Sequence, residues 1–128
     1  MKIKEYDYNW CPEGIDEDCI NLCRTLNQLP GIETYESCEG HGRHPYWVFF
    51  RCTNLETISR LGRVVERNYS DNNWEIVVDS TDINPYGCFW LRTKSILNKK
   101  ELNNSIIQLI DSIYYWFGDE FDNYFSNK

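Results

Sequence analysis

The sequence has 128 residues, a formal net charge of −7 at pH 7 and an isoelectric point near 4.8. A chain of this length can bury one core without help from disulfides or metal, so we expect a single domain over residues 1–128. Broad nucleic-acid binding depends on clustered lysine and arginine, and the acidic balance argues against it. The start of the sequence lacks the apolar run of a signal peptide, and no later segment is apolar enough to span a bilayer, so we expect a cytoplasmic protein without membrane contact.

The first predicted element is a helix over residues 17–28, one side of which is apolar, and Pro30-Gly31 ends it. Residues 32–38 then alternate as a strand does. The aromatic and β-branched segment 46–52 is predicted to be the return strand. The residues between the two strands therefore form a hairpin loop.

The same order of elements then recurs. Thr53 and Glu56 have the spacing of a capping box, which predicts a helix that ends near residues 69–73. Its apolar residues are expected to face the core: Leu55, Ile58, Leu61 and Val65. Residues 74–80 and 88–93 are predicted strands, and a loop joins them.

The two halves share a local signature. His44-Pro45-Tyr46 leads into the second strand and Asn84-Pro85-Tyr86 leads into the fourth. We interpret residues 16–52 and 53–94 as two copies of one helix-strand-strand unit.

The sequence leaves open where the two hairpin loops lie relative to each other. The two hairpin loops lie at opposite ends of the sheet if the middle connection is a parallel crossover, and at one end if the second and third strands are antiparallel.

A long helix is predicted to follow over residues 98–125. Asn98 and Glu101 have capping-box spacing, and the apolar residues after them line one helical face. The aromatic and acidic end of this segment, residues 114–125, is a candidate either to cover a groove or to form a homodimer contact. The predicted fold is an α+β two-layer domain, in which a four-stranded, mainly antiparallel sheet carries its helices on one face.

The candidate site is the first hairpin loop. Residues 37–45 bring together a thiol, a carboxylate, two imidazoles and a guanidinium around two glycines. Backbone N–H groups beside glycines and cationic side chains can hold a phosphate or carboxylate, and Trp47 or Tyr46 can stack on a base. We therefore expect a pocket for an anionic or nucleotide-like small molecule. The expected ligand-binding residues are Ser37, Cys38, Glu39, His41, Arg43, His44, Trp47 and Arg51.

The same loop supports two chemical alternatives and one structural alternative. Cys38, His41 and His44 are ligand types that zinc prefers, and three ligands with an open position describe a catalytic zinc. Cys38 is also a candidate nucleophile, with His41 or His44 as its base. The structural alternative is a glycine-rich hairpin that only turns the chain, with Cys38 packed inward.

A further alternative rests on charge rather than on the loop. Acidic residues are dense near both ends of the sequence, and Asp119, Glu120 and Asp122 are examples. An acidic protein of this kind can bind a basic host protein as a phage-encoded inhibitor that mimics nucleic acid. In that case the loop is incidental to function.

Part of the sequence resembles a known family. The stretch from Asp16-Glu17-Asp18 through Leu26-Asn27 to Thr34 and Ser37-Cys38-Glu39-Gly40 resembles the opening of the wybutosine-synthesising tRNA methyltransferase family. In that family a helix ending in Leu-Asn leads to a strand and a Ser-Cys-x-Gly loop. The later helix-strand-strand order is also similar. The loop is similar as well to that of small, uncharacterised phage and bacterial proteins with Ser-Cys-x-Gly-His. The resemblance implies a ligand pocket near the loop.

Overall fold

The structure, a computed structural model, describes residues 17–38, 42–66, 73–79 and 87–118. Its elements are α1 (Glu17–Asn27), β1 (Ile32–Cys38), β2 (Trp47–Cys52), α2 (Leu55–Glu66), β3 (Trp74–Val78), β4 (Cys88–Thr93) and α3 (Lys99–Trp116). The four strands form one antiparallel sheet, and the helices pack on one of its faces. The predicted α+β architecture is confirmed. Predictions for the chain ends and for residues 67–72 and 80–86 lie outside the described residues.

The core lies between the helices and the sheet face that they cover, which we call the inner face. In the central strands every second side chain points to this face, and Val48, Phe50 and Leu91 have no exposed surface. Trp74, the largest fully buried side chain among the described residues, lies on the edge strand β3, and its indole N–H donates to the Ser105 carbonyl at 3.3 Å. Each apolar side chain that is fully buried in this way stabilises the fold by about 1.5–3 kcal/mol.

A buried amide ties the end of α1 to β1. The Asn27 side chain donates to Thr34 Oγ1 at 2.8 Å and accepts from the Thr34 N–H at 2.9 Å. Between these residues the chain reverses at Gly31, whose φ is +81°. A Cβ atom at this position would lie 2.8 Å from Asn54. Glycine is therefore required both by the backbone conformation and by the close approach of the next segment.

The start of α2 differs from the prediction. Asn54, not Thr53, caps the helix, since its side chain accepts from the Thr57 N–H at 3.1 Å. The N–H of Thr53 instead donates to the Gly31 carbonyl at 3.0 Å, which holds this residue outside the helix. Leu55, expected in the core, becomes the first helical residue and is 84% exposed. The predicted capping box and the inward orientation of Leu55 are both wrong.

The predicted start and apolar face of α3 are confirmed. Asn98 accepts from the Glu101 N–H at 2.8 Å, and the Glu101 carboxylate accepts from the Asn98 N–H at 3.2 Å, which is the predicted capping box. The apolar residues that face the core are buried: Leu102, Ile106, Leu109, Ile113 and Phe117. None of the helices in the described part of the chain combines the length and apolar character needed to cross a membrane.

The strand order β1-β2-β4-β3 resolves the geometry that the sequence left open. β4 is antiparallel to both β2 and β3, so β2 and β3 run in the same direction and α2 lies on a crossover between them. The β1–β2 loop consequently lies at one end of the sheet and the β3–β4 connection at the other. The two hairpins are thereby related by approximate two-fold symmetry, with Phe49 opposite Trp90 and Phe50 opposite Phe89 at the centre.

This symmetry relates two ion pairs. Arg51 of β2 lies opposite Glu33 of β1, with 3.7 Å between Nη2 and Oε2. Arg92 of β4 lies opposite Glu75 of β3, and the same atoms are 3.6 Å apart. Each arginine is at the end of its strand that is remote from its own hairpin loop. Arg92, rather than Arg51, therefore lies at the end of the sheet that carries the β1–β2 loop.

β1 contains a bulge that determines which side chains face outward. The register shifts between Thr34 and Glu36, which leaves Tyr35 as an extra residue in this strand. Because side chains alternate between the two faces along a strand, the extra residue reverses the alternation in the rest of β1. Ser37 consequently points to the inner face and is buried, and Cys38 points to the opposite, outer face and is half-buried.

Candidate functional site

The outer face of the sheet, which no described helix covers, carries a row of aromatic side chains that we call the aromatic strip: Tyr35, Phe49, Trp90 and Trp47. Ring centroids are 5.9 Å apart for the first two residues, 4.7 Å for the middle two and 5.0 Å for the last two. Tyr35 is 43% exposed, and the other three side chains are half-buried. Aromatic rings in partial contact with water are enriched at binding surfaces. The strip is therefore the apolar part of the candidate site.

Cys38 and His44 meet at one end of this strip. Cys38 Sγ lies 3.5 Å from His44 Nε2, and His44 Nδ1 lies 2.9 Å from the Pro45 carbonyl oxygen. A carbonyl only accepts, so Nδ1 carries the ring proton of neutral His44 and Nε2 presents a lone pair. The thiol therefore donates to Nε2. A half-buried thiol on β1 and an exposed imidazole on the loop, both predicted for the site, are thus in direct contact.

The same distance is compatible with zinc. With Zn–S of about 2.3 Å and Zn–N of about 2.0–2.1 Å at a tetrahedral angle, the two ligand atoms lie about 3.6 Å apart. A backbone carbonyl such as that of Pro45 is also a usual outer partner of a zinc-bound imidazole. Within the described residues, however, no group of three or more His, Cys, Asp or Glu side chains could hold a metal ion. His41, the third predicted ligand, and Glu39 lie outside those residues, so the zinc site stays a prediction.

Two residues expected at the site, Ser37 and Tyr46, are buried on the inner side of the sheet instead. Ser37 is buried on the inner face, on the other side of the sheet from Cys38. Arg43 is exposed on the loop. Tyr46, one of the two expected stacking residues, is buried, and its ring lies edge-on to Trp74 with 5.7 Å between centroids. Tyr46 is a core residue, so stacking on a ligand is left to Trp47.

Arg51 shares the outer face with Trp47 but lies at the other end of the sheet. The two residues are four positions apart on β2, which is about 13 Å along a strand. The Arg51 guanidinium is paired with Glu33, and its Cζ lies 5.9 Å from the centroid of the Tyr35 ring. Arg51 thus lies beside Tyr35, at the end of the aromatic strip that is remote from Cys38. The two-fold relation puts Arg92 in the corresponding place beside the β1–β2 loop.

A groove of about 620 Å³ crosses the outer face and reaches His44. The lining of this outer groove includes His44, Trp47, Trp90, Arg92 and Lys94, together with the carboxylates of Glu75 and Asp79. Sequence reasoning missed Trp90, Arg92 and Lys94 as site residues because they belong to the other hairpin. Trp90 and Arg92 are two positions apart in β4, so they lie on the same face of the sheet. This spacing, together with a parallel crossover between the two hairpins, is the signal that could have placed them beside the first loop.

Thr93 holds the two central strands together at this end of the sheet. Its N–H donates to the Tyr46 carbonyl at 3.0 Å, and the Tyr46 N–H donates to Thr93 Oγ1 at 3.1 Å. The Thr93 hydroxyl in turn donates to the Ser95 carbonyl at 2.9 Å. These bonds fix the start of β2 against the end of β4, so Trp47 and Arg92 remain neighbours on the outer face.

Cys52 provides a thiol in a different environment. It is 5% exposed on the inner face, and its Sγ donates to the Asn54 carbonyl at 3.2 Å. Burial raises the pKa of the Cys52 thiol, and hydrogen bonds with the backbone of Asn54 and Ile58 offset only part of that rise. A carbonyl cannot take the proton, so this thiol stays protonated at neutral pH. Three further described cysteines are also buried: Cys19, Cys23 and Cys88.

No protein-family model, no curated protein and no solved structure matches this chain. The resemblance to the wybutosine-synthesising methyltransferases therefore stays a prediction. A function for this chain must consequently be inferred from the geometry of the outer face and of the loop.

Proposed function

We propose that this protein binds an anionic, nucleotide-like small molecule in the outer groove. The observation that carries the proposal is the presence of Trp47 and Trp90 beside Arg92, Lys94 and His44 in one groove, on a sheet face that none of the described helices covers. The indole rings offer a stacking surface for a planar base. The cationic side chains offer charge-assisted hydrogen bonds to a phosphate.

The two tryptophans are suited to a flat ligand. Their ring centroids are 5.0 Å apart and their planes are inclined by 72°. Both residues lie in the central strands, where Trp47 is opposite Arg92 and Trp90 is opposite Phe49. Side chains held in a sheet in this way lose little further freedom on binding. Stacking of one base on such a ring contributes about 1–3 kcal/mol.

The charges of the groove favour a ligand that carries both phosphate and hydroxyl or amino groups. Arg92 and Glu75 are 3.6 Å apart, with side chains that are 46% and 33% exposed, and ion pairs of this kind contribute little to stability. A phosphate can therefore replace Glu75 as the partner of Arg92 at small cost. The Glu75 and Asp79 carboxylates can then accept hydrogen bonds from sugar hydroxyls or an exocyclic amine. Nucleotides combine all of these groups.

Titration calorimetry with a panel of nucleotides and S-adenosylmethionine tests the proposal. We expect saturable binding of at least one nucleotide. Arg92→Gln should weaken that binding about 10- to 100-fold, because a hydrogen bond to a charged group contributes about 1.5–3 kcal/mol. Trp47→Leu should weaken it at least about fivefold, because the stacking surface is lost.

Arg63→Gln is the matched control. Arg63 is exposed like Arg92 but lies on α2, in the helical layer. The substitution removes the same charge and should leave the affinity unchanged, while circular dichroism checks that each variant is folded. The proposal is contradicted if no member of the panel binds, or if Arg63→Gln weakens binding as much as Arg92→Gln.

A further inference from the structure

The contact between Cys38 and His44 has a chemistry that ligand binding does not use. The imidazole presents the lone pair of Nε2 to the thiol at 3.5 Å, and the Pro45 carbonyl holds the other ring nitrogen in its protonated form at 2.9 Å. We propose that Cys38 is a nucleophile toward an alkyl carbon with an anionic leaving group, and that His44 is the base that takes the thiol proton. This proposal does not require the outer groove to bind a nucleotide.

The arrangement meets the geometric conditions for an activated nucleophile. A thiol and a base must lie within hydrogen-bond reach, and a third group must orient the base. Cys38 and His44 satisfy the first condition, and the Pro45 carbonyl satisfies the second. The orienting group is a backbone carbonyl, so no third side chain is needed for this role.

Access to the thiol follows from the bulge in β1. Because Tyr35 is an extra residue, Cys38 lies on the outer face, directly opposite Trp47 in the register. The thiol is half-buried and the imidazole is exposed. His44 and Trp47 also line the outer groove, so a small electrophile can approach from that side.

The proposed step is a single substitution at carbon. His44 Nε2 takes the proton from Sγ, and the sulfur uses the electron pair of its former S–H bond to form an S–C bond. The bond between the carbon and its leaving group breaks at the same time, and the leaving group departs with that electron pair. A thioether and an imidazolium remain, and no oxidant or further reactant is needed. Arg92 and Lys94 in the adjoining groove favour the departure of an anion.

Cys52 shows why the proposal concerns Cys38 alone among the cysteines that the structure describes. Its thiol also has a hydrogen-bond acceptor, but this acceptor is the Asn54 carbonyl, which cannot become protonated. Cys52 is also buried, as are Cys19, Cys23 and Cys88. Cys38 is the described cysteine that combines a half-exposed position with an imidazole acceptor.

Alkylation of the full chain with limiting iodoacetamide at pH 7 tests the proposal. Peptide mass spectrometry follows each cysteine separately, including Cys11, which lies outside the described residues. Cys38 is expected to react at least about tenfold faster than the same cysteine in an unfolded synthetic peptide that spans residues 34–48, because His44 is held in place to take the thiol proton as the S–C bond forms. The peptide has the same residues without the fixed contact, so the comparison isolates the geometry.

Two variants separate a chemical role of His44 from a structural one. His44→Ala should slow the alkylation of Cys38 to about the rate in the peptide, while the melting temperature stays close to that of the wild type. Arg63→Gln removes an exposed cation from α2, in the helical layer, and should leave the rate nearly unchanged. The proposal is overturned if Cys38 reacts no faster than the peptide, or if His44→Ala leaves the rate unchanged. Stoichiometric zinc in the purified protein that is lost in Cys38→Ser would also overturn it, because the pair would then be a metal site.

Discussion

The inner and outer faces of the sheet are both rich in aromatic residues, but the helices that the structure describes cover only the inner one. Phe49 and Phe50 are neighbours in β2, and Phe50 has no exposed surface whereas Phe49 is half-buried in the aromatic strip. The difference shows that aromatic content alone does not identify a core. Large rings that remain in contact with water are better explained by a binding surface than by packing.

Replacing one aromatic ring on each face by alanine should give the largest difference between the two faces in the free energy of unfolding. Phe50→Ala leaves a cavity in the core and is expected to lower the free energy of unfolding by about 3–5 kcal/mol. Phe49→Ala removes a ring that is already in partial contact with water and should cost less than about 2 kcal/mol. Urea denaturation followed by circular dichroism measures both values. Equal losses would show that the outer face is packed as tightly as the inner one.

Removing one polar contact from each face should give a smaller difference in the free energy of unfolding. Asn27→Ala leaves the buried N–H and hydroxyl of Thr34 without this partner, and we expect a loss of about 1–3 kcal/mol in the free energy of unfolding. Glu33→Gln removes the ion pair with Arg51 on the outer face and should cost less than about 1 kcal/mol. Both variants can be compared by the same denaturation experiment. The expectation fails if Glu33→Gln is the more destabilising change.

The smallest expected effect concerns the buried thiol of Cys52. Because burial raises its pKa in the folded chain, Cys52 keeps its proton at pH values where the unfolded chain has lost it. Its contribution to stability is complete below the unfolded pKa, near 9.0, and is lost as the pH rises through the folded value. The stability difference between wild type and Cys52→Ala should therefore shrink as the pH rises above 9.0. Urea denaturation of both proteins at several alkaline pH values measures this difference. A difference that stays constant with pH would contradict a raised pKa of Cys52.

The elements of this fold could be predicted where local patterns decide them. β2 alternates between buried and half-buried side chains, and α3 begins at a complete capping box. The start of α2 could not be predicted in the same way, because a contact from elsewhere in the chain overrides the local pattern. The Thr53 N–H is bonded to Gly31, which leaves Asn54 as the cap.

The candidate site was predictable only within one hairpin. Cys38 and His44 are close because they flank the same loop, so their proximity is local. The choice between Arg51 and Arg92 depends on the order of strands, which no local pattern contains. The inward position of Ser37 depends on a bulge whose effect appears only in the pairing register.

The bulge at Tyr35 means that β1 contains one residue more than its pairing with β2 requires. In a regular strand, one deleted residue would exchange the two faces for every later residue up to the loop. Deletion of Tyr35 would remove the bulge and leave Glu36, Ser37 and Cys38 opposite their present partners in β2, so the thiol would still lie on the face where it meets His44. The position of the thiol beside the imidazole therefore depends on the pairing of the two strands and not on the number of residues in β1, and Tyr35 is a residue that the strand can lose without moving Cys38 to the other face.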